Sequence, residues 1–431
     1  MVAEGEMGMG TQHGPEEQEN YSFMQESIKD ERINLKKIVR SVLKLAGKGL
    51  VFGLAACIGF FALRPWAEEI FQKESKEIEI PGDEEQSEQE GTEDANGQED
   101  AALQPQALTI ENYRELNTAL IQVASEAEKS MVSVKGIQQD ESWEDAQNVS
   151  PNVTSGVIVG DNGGELLIVA NYSSMKNAHL FQVELVDGTK HEATMKQKDG
   201  NIDLAVFSIA KSGITETTMN RIKIVSFGNS NVIAQGRTLI AVGSPFGYEG
   251  GMGYGIASTV NASVICADGK YNIIVTDMPA SESGSGALFD SNAKLIGIID
   301  TRTYQEDDTN TLTAIGISSI KSEIEMMSNG KSVPYVGVIG TVITEVMSET
   351  YGMPAGLFVE EVEVDSPAMK AGIQSGDIIT KVDGENITSI TEYHKVIIGQ
   401  EAGKTIKFTG QRLGVENYVD IKFNVTVGIK Q

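Results

Sequence analysis

The chain has 431 residues, of which 62 are acidic and 34 basic, and its formal net charge at pH 7 is -28. Such a length allows roughly two to four domains. So acidic a chain lacks the basic surface that nucleic-acid binding requires, and we expect no nucleic-acid partner. Two cysteines (Cys57 and Cys266) and four scattered histidines form no ligand pattern, so we expect neither a metal nor a cofactor.

The N-terminal region combines a polar tail with a basic segment and a short apolar run. Seven Lys or Arg residues lie between Lys29 and Lys48, and residues 49–63 carry no charge. A buried core helix is one interpretation, since a membrane span needs about 20 residues. The one-sided basic cluster and the interfacial position of Trp66 favour a single transmembrane helix over residues 46–66. We therefore expect residues 1–45 in the cytoplasm and the remainder outside the cell membrane.

An acid-rich segment, residues 67–108, follows the predicted span. Its residues 74–100 contain twelve acidic residues and one lysine, with few large apolar side chains. A segment of this composition cannot bury enough apolar surface to fold, and its like charges repel one another. We expect a disordered acidic linker.

Short β-type runs begin near Met131, after a stretch with helical apolar spacing. They include TSGVIVGDNGGELLIVANY, DLAVFSIA, RTLIAVGSPFG and KLIGIID, and turns containing glycine separate them. This pattern predicts antiparallel barrels or sandwiches and not a parallel α/β sheet. A final block of about 100 residues begins near Val333.

The final block contains the most specific motif of the chain, SPAMKAGIQSGDIITKVDGENI, at residues 366–387. Ser366 and Pro367 are expected to start a short helix, Gly372 to end it, and Gly376 to turn the chain into a strand. This motif resembles PDZ domains, particularly those of the HtrA/Do family of trypsin-like serine proteases.

The resemblance implies a peptide-binding site in this block. Four residues stand where PDZ domains of the family carry a carboxylate-binding loop, namely Tyr335, Val336, Gly337 and Val338. In such a loop successive backbone N–H groups point at a peptide's terminal carboxylate, while the peptide adds to the sheet as a strand. An ordinary strand start is the alternative. The helix containing TEYHKVIIG would form the other wall of the groove, with His394 or Ile397 facing the ligand. The alternative for His394 is an exposed position on the helix.

The middle block, about residues 111–330, resembles the protease domain of the same family. The stretches SGVIV, DLAVFSI, AVGSPFG, IVTD and LIGI occur in the family's order and spacing. The resemblance implies a mainly β fold, with two six-stranded antiparallel barrels over residues 109–330 and an α+β PDZ domain over residues 331–431. It also implies unfolded proteins or peptide C-termini as partners, and association with itself or with active relatives.

The residues that would perform serine-protease chemistry are incomplete. That chemistry needs a hydroxyl nucleophile, an imidazole base and a carboxylate that orients the base. Asp203 occupies the family position of the carboxylate, although a turn residue that opens a strand is the alternative. In the stretch IVANYSS, Ser173 stands where the family has histidine. His179 and His191 lie six and eighteen residues further on, too far along the chain for a general base.

The nucleophile loop, TDMPASESGSGALFD at residues 276–290, is one residue shorter than in the family. Counting forward from Thr276 places Ser285 at the nucleophile position, whereas counting back from Leu288 places Gly284 there. The resemblance implies that backbone N–H groups of this loop form the oxyanion hole, and losing one donor costs on the order of 10²–10³ in rate.

Together these features predict a membrane-tethered pseudoprotease that binds peptides through its PDZ domain. A role in protein quality control at a bacterial cell envelope is implied by the resemblance. One alternative is an active serine endopeptidase that uses Ser285 with a non-standard base. The other is a PDZ scaffold or signalling protein.

Overall fold

The computed structural model describes residues 76–83, 109–137, 152–300 and 310–430. The predicted cytoplasmic tail and transmembrane helix lie outside these ranges. Within them, no helix has both the length and the apolar character that a bilayer crossing requires. All of the described residues belong to one compact unit, Lys73–Gln431.

The first helix, α1 (Ile110–Glu128), is stabilised at its start by a capping box. The Thr109 side chain accepts from the Asn112 N–H, and the Asn112 side chain accepts from the Thr109 N–H. These bonds satisfy two donors that a helix N-terminus otherwise leaves unpaired. At its other end α1 buries Ala124 and Ala127 in a core that also contains side chains of both barrels.

Six antiparallel strands close the first barrel in the order β1-β2-β3-β6-β5-β4. Its interior is filled by buried apolar side chains, which remove that surface from water. The strands are β1 (Met131–Ile137), β2 (Val153–Asp161), β3 (Glu165–Asn171), β4 (Leu180–Glu184), β5 (Lys190–Asp199) and β6 (Leu204–Ala210).

The second barrel follows a short helix, α2 (Glu216–Met219), and closes in the order β11-β8-β9-β10-β13-β12. Strand β7 adds to its edge, parallel to β12. The predicted pair of six-stranded barrels is confirmed. The strands are β7 (Ser226–Phe227), β8 (Thr238–Ser244), β9 (Gly251–Cys266), β10 (Gly269–Pro279), β11 (Ser285–Phe289), β12 (Lys294–Ile299) and β13 (Thr311–Gly316), and helix α3 (Lys321–Ser328) follows them.

The C-terminal block, predicted to be a PDZ domain, consists of a five-stranded path β15-β16-β17-β19-β20, with β18 beside β17 and a separate β14–β21 pair. Its elements are β14 (Pro334–Tyr335), β15 (Val338–Ile343), α4 (Glu345–Tyr351), β16 (Gly356–Val362), α5 (Pro367–Ala371), β17 (Ile378–Val382), β18 (Glu385–Asn386), α6 (Ile390–Ile398), β19 (Thr405–Leu413), β20 (Tyr418–Thr426) and β21 (Gly428–Ile429).

The predicted limits of helix α5 are confirmed. Its N-cap is Ser366, whose side chain accepts from the Met369 N–H, and Pro367 lies in its first turn. It ends at Gly372, which has φ 92°, a left-handed conformation that glycine adopts without steric cost.

Part of the predicted linker is ordered against the globular body. The Ile78 N–H donates to Asn329 Oδ1 and the Ile78 carbonyl accepts from Asn329 Nδ2, both at 3.0 Å. Ile80 is 6% exposed within the core, and Asp83 pairs with Lys321 at 2.7 Å. The expectation of a disordered tether is therefore wrong for residues 76–83, because Ile80 finds a buried apolar site and Asn329 satisfies the backbone of Ile78.

Candidate functional site

Asp203 and Ser173 lie together at one end of the first barrel. The Tyr172 N–H donates to the Asp203 carbonyl at 3.0 Å, and Ser173 begins a one-turn 3-10 helix directly after Tyr172. Asp203 is 7% exposed and has φ 55°, a left-handed conformation that Asp tolerates better than most residues. Ser173 is exposed. A hydroxyl does not accept a proton at neutral pH as imidazole does, so Ser173 does not offer here the base that a histidine would.

Ser285 lies at the start of β11, and its side chain points at the first barrel. Its Oγ accepts a hydrogen bond from the Ser155 N–H of β2 at 3.0 Å, and Ser155 Oγ donates to Ser244 Oγ at 3.1 Å. Ser285 is only 5% exposed. Its hydroxyl therefore satisfies a buried backbone donor instead of facing an open cleft.

The histidines within the described ranges are engaged elsewhere. His179 is exposed, and its backbone N–H donates to the Ile137 carbonyl. His191 lies in β5, with Nε2 3.3 Å from Thr189 Oγ1. His394 belongs to helix α6 of the PDZ domain. No histidine ring in the described part of the chain hydrogen-bonds to Ser285.

Gly284, the other nucleophile position, has no room for a side chain. A Cβ atom there would lie 2.8 Å from the Pro245 carbonyl oxygen and 2.9 Å from that of Ser281. The Gly284 N–H already donates to the Ser281 carbonyl at 2.8 Å, within a tight turn of the loop. This N–H is therefore not free to stabilise an oxyanion.

A cavity of about 260 Å³ lies between the two barrels, and Asp203 is not one of its lining residues. It is lined by the start of β1, the residues after β4 and the turn between β8 and β9. Glu128, Glu184 and Glu249 make its rim acidic, whereas neither Ser285 nor Ser173 lines it. Across the described residues, no group of three or more His, Cys, Asp or Glu side chains has an arrangement that would hold a metal ion.

The loop of residues 335–338, which we call the carboxylate loop, joins β14 to β15. Gly337 has φ 93°, and a Cβ atom there would lie 2.4 Å from Ser366 Cβ, so the loop requires glycine at this point. The N–H groups of Val336 and Gly337 donate to Asp268 Oδ2 at 2.6 and 2.7 Å. The Val338 N–H donates to Asp268 Oδ1 at 3.1 Å. The loop thus binds a carboxylate with three backbone N–H groups, and that carboxylate belongs to the chain itself.

Asp268 lies in the two-residue turn between β9 and β10 and is 3% exposed. Tyr393 Oη donates to Asp268 Oδ1 at 2.7 Å, and the Asp268 N–H donates to the Val338 carbonyl at 2.8 Å. Burial raises the pKa of Asp268, and the N–H donors of the carboxylate loop act in the opposite direction. The pattern in the sequence did not predict this contact. An Asp-Gly pair between two β-type runs signals only a hairpin turn, and Gly337 lies 69 residues further along the chain.

His394 joins the PDZ domain to the same hairpin and to helix α3. Its Nδ1 lies 3.0 Å from the Asp268 carbonyl oxygen, and its Nε2 lies 3.0 Å from Glu323 Oε1. Burial alone would lower the pKa of His394, but the hydrogen bond and the charge of Glu323 raise it to about 8. An exposed position for His394 is thereby excluded, since its side chain is 20% exposed. Ile397 is 1% exposed in the PDZ core, and its predicted contact with a ligand stays a prediction.

Comparison with known proteins agrees with this architecture. Residues 154–298 match the trypsin-like peptidase domain family, and residues 358–412 match a PDZ domain family. Among solved structures, the HtrA-type protease AlgW with tripeptide aligns with a TM-score of 0.50 at 22% identity, covering 72% of this chain and 97% of that one. At this identity the likeness bears on the fold alone.

Three curated relatives share more of the sequence. The Do-like HtrA serine protease of Lactobacillus helveticus is 30% identical over 292 residues, which are 62% of this chain and 67% of the relative. Its namesake in Bacillus subtilis is 28% identical over 329 residues, 72% of this chain and 71% of the relative. The periplasmic serine endoprotease DegP of Escherichia coli is 31% identical over 246 residues, 54% and 49% respectively. The chain therefore belongs to the HtrA/Do-like family of trypsin-like serine proteases with a C-terminal PDZ domain.

Proposed function

We propose that this chain is a catalytically impaired member of its family that binds peptide C-termini through its PDZ domain. The observation that carries the proposal is the carboxylate loop, in which three consecutive backbone N–H groups converge on one carboxylate. A free peptide C-terminus offers the same chemical group, and backbone nests of this kind are a recurring means of capturing it. Peptides with a free C-terminus, or unfolded proteins that expose one, are the ligands this chemistry favours.

The impairment rests on the triad positions. Ser173 stands where the family has its general base, and the hydroxyl of Ser285 is hydrogen-bonded to Ser155. In a protease with this triad, removing the histidine costs about as much as removing all three members, on the order of 10⁶ in rate. The oxyanion site is weakened as well, because the Gly284 N–H already donates to the Ser281 carbonyl within the loop.

A fluorophosphonate probe and unfolded casein test the impairment. We expect neither labelling of Ser285 nor casein cleavage by the full-length chain, and no difference between wild type and Ser285→Ala. Labelling at Ser285, or cleavage that disappears in Ser285→Ala, would establish an active endopeptidase with a non-standard base and overturn the proposal.

Peptide capture is tested with a library of fluorescent hexapeptides, prepared with free and with amidated C-termini. We expect binders among the free peptides and at least a tenfold weaker affinity for their amidated forms. Gly337→Ala should abolish this preference, because its Cβ would collide with Ser366. Gly384→Ala is the matched control, since Gly384 also has a positive φ of 94° but its Cβ would meet no atom within 4 Å. Equal binding of free and amidated peptides would refute the function.

We further propose that residues 46–66 anchor the protein in the cell membrane and hold its protease-like and PDZ domains outside the cell. The seven basic residues between Lys29 and Lys48, followed by fifteen uncharged residues, support this orientation. Protease added to intact cells should degrade residues 109–431 and spare the N-terminal tail. Protection of both parts would contradict the orientation. Assembly with an active relative belongs to the same proposal and predicts that the two copurify from membranes.

A further inference from the structure

The hairpin of β9 and β10 places its tip in the peptide groove of the PDZ domain. Such a groove lies between the strand that follows the carboxylate loop and the facing helix, here β15 and α6. Asp268 bonds to both walls, because its N–H donates to the Val338 carbonyl and its carbonyl oxygen lies 3.0 Å from His394 Nδ1. The Tyr271 ring packs edge-on against the His394 ring, with centroids 5.6 Å apart.

The tip also reproduces the polar contacts that a bound C-terminal residue would make. One carboxylate accepts three N–H groups of the carboxylate loop, and one backbone N–H donates to the strand beside it. Tyr393 Oη supplies a fourth donor to the carboxylate. Hydrogen bonds to an ionised acceptor are roughly twice as strong as neutral ones. The hairpin turn therefore occupies the carboxylate loop with a carboxylate, which is the same group that a peptide C-terminus would bring.

We propose that Asp268 is a built-in competing ligand of the PDZ domain, so that a peptide C-terminus enters the carboxylate loop only when the β9–β10 hairpin withdraws. The inference rests on the proposed function, since it assigns the regulation of the same site. Two carboxylates cannot occupy one set of N–H donors, and the tether keeps the internal one in place. The affinity measured for a peptide equals its affinity for molecules with a free loop, multiplied by the fraction of molecules whose loop is free.

Withdrawal of the hairpin also separates the PDZ domain from the second barrel at this point. The contacts that would be lost include the Asp268 bonds and the bond between His394 and the Asp268 carbonyl. Peptide binding is thereby coupled to the position of the PDZ domain relative to the protease-like domain. The coupling is reciprocal, because whatever loosens the hairpin raises the affinity for peptide.

Substitution of Asp268 in the full-length chain tests the inference. Asp268→Asn removes the charge at nearly constant shape. Asp268→Gly removes the side chain and suits the left-handed φ of 61° at this position, so the turn is retained. We expect both variants to bind the free-carboxylate hexapeptides at least tenfold more tightly than wild type, a gain of about 1.4 kcal/mol. Amidated peptides should gain nothing. The matched control is Asp383→Asn, an exposed turn residue with φ 49° that lies outside the carboxylate loop.

The outcomes separate the two proposals. If Asp268→Asn and Asp268→Gly bind free peptides no more tightly than wild type and Asp383→Asn, the internal competitor is refuted while peptide capture stands. If no variant prefers free over amidated peptides, the proposed function fails and the inference fails with it. Hydrogen exchange gives a second measurement in the wild type. Saturating peptide should speed exchange at the Asp268 amide, whose N–H donates to the Val338 carbonyl, and unchanged protection there, with peptide bound, would also refute withdrawal.

Discussion

Replacing Glu323 by glutamine should return the pKa of His394 to the ordinary histidine range. Both ring nitrogens of His394 face atoms that only accept hydrogen bonds, the Asp268 carbonyl oxygen and a carboxylate oxygen of Glu323, each at 3.0 Å. Two such partners require two N–H groups, which only the charged imidazolium has. The contacts raise the pKa of His394 from 6.5 to about 8, and this rise corresponds to about 2 kcal/mol of preference for the charged form.

The direction of the pH effect follows from the direction of the shift. Because the folded pKa of His394 lies above the unfolded value, its stabilisation is complete below about pH 6.5 and is lost as the pH rises through about 8. The groups that act on this region, besides Glu323 and Asp268, include Asp199, Cys266, Tyr271 and Lys430. Burial raises the pKa of Asp199 to about 6 and that of Tyr271 well above 10, so their titrations lie outside the interval from pH 7 to 9.

Histidine Cε1–H resonances followed by NMR from pH 5 to 9.5 measure this pKa, with His394→Asn providing the assignment. Wild type should titrate near 8 at His394, and Glu323→Gln near or below 6.5. Urea unfolding should show that wild type loses about 1 kcal/mol between pH 7 and 9, because part of the stabilisation is already lost at pH 7, and that Glu323→Gln loses much less. Glu325→Gln is the control, because Glu325 lies on the same helix but accepts from the Ile80 N–H instead. A wild-type His394 that titrates at or below 6.5 would refute the reasoning.

Two further substitutions test structural roles, one in the loop of residues 276–290 and one in the PDZ domain. Ser285→Ala should destabilise the fold by about 1–3 kcal/mol in urea unfolding, because it leaves the buried Ser155 N–H without its acceptor. Ser283→Ala, in the exposed part of the same loop, should change the free energy of unfolding by no more than about 0.5 kcal/mol. Equal values for the two would contradict a structural role for the Ser285 hydroxyl. Arg412→Met should cost about 3–5 kcal/mol, since it strips the fully buried Asp377 carboxylate of donors at 2.5 and 2.8 Å. Adding Asp377→Asn to Arg412→Met should restore part of that loss, and no recovery would refute the charge argument.

The features that the sequence predicted depend on residues close together in the chain. The Ser366 cap, the proline after it and Gly372 are separated by a few residues, and the limits of helix α5 follow from them. The short apolar runs divided by glycine turns predict antiparallel barrels or sandwiches. The pair of six-stranded barrels was implied by the family resemblance, because each barrel closes through strands that are not neighbours in the chain, such as β3 and β6. Asp203 and Ser173 were expected to lie together through the family resemblance, and the Tyr172 bond to Asp203 brings them together.

The parts that the sequence did not predict depend on partners far along the chain. Residues 76–83 belong to an acid-rich segment whose average composition predicts disorder, yet Ile80 and the backbone of Ile78 find fixed sites about 250 residues away, at Glu325 and Asn329. The sequence pattern likewise indicates only a turn at Asp268, whereas in the structure its carboxylate accepts hydrogen bonds from the carboxylate loop. Composition averages over such single contacts, and no local pattern encodes a partner at that separation.

The internal carboxylate defines which peptides can gain access. The hairpin tip offers the groove one carboxylate, one backbone N–H and one carbonyl oxygen. A peptide that offers only those groups makes the same hydrogen bonds as Asp268, and it gains no free energy over a competitor that is tethered in the same chain. A successful peptide must gain free energy from residues upstream of its C-terminus, by pairing along β15 and packing apolar side chains against α6. Selectivity in this protein would therefore lie mainly in those upstream residues, with the terminal carboxylate necessary but not sufficient.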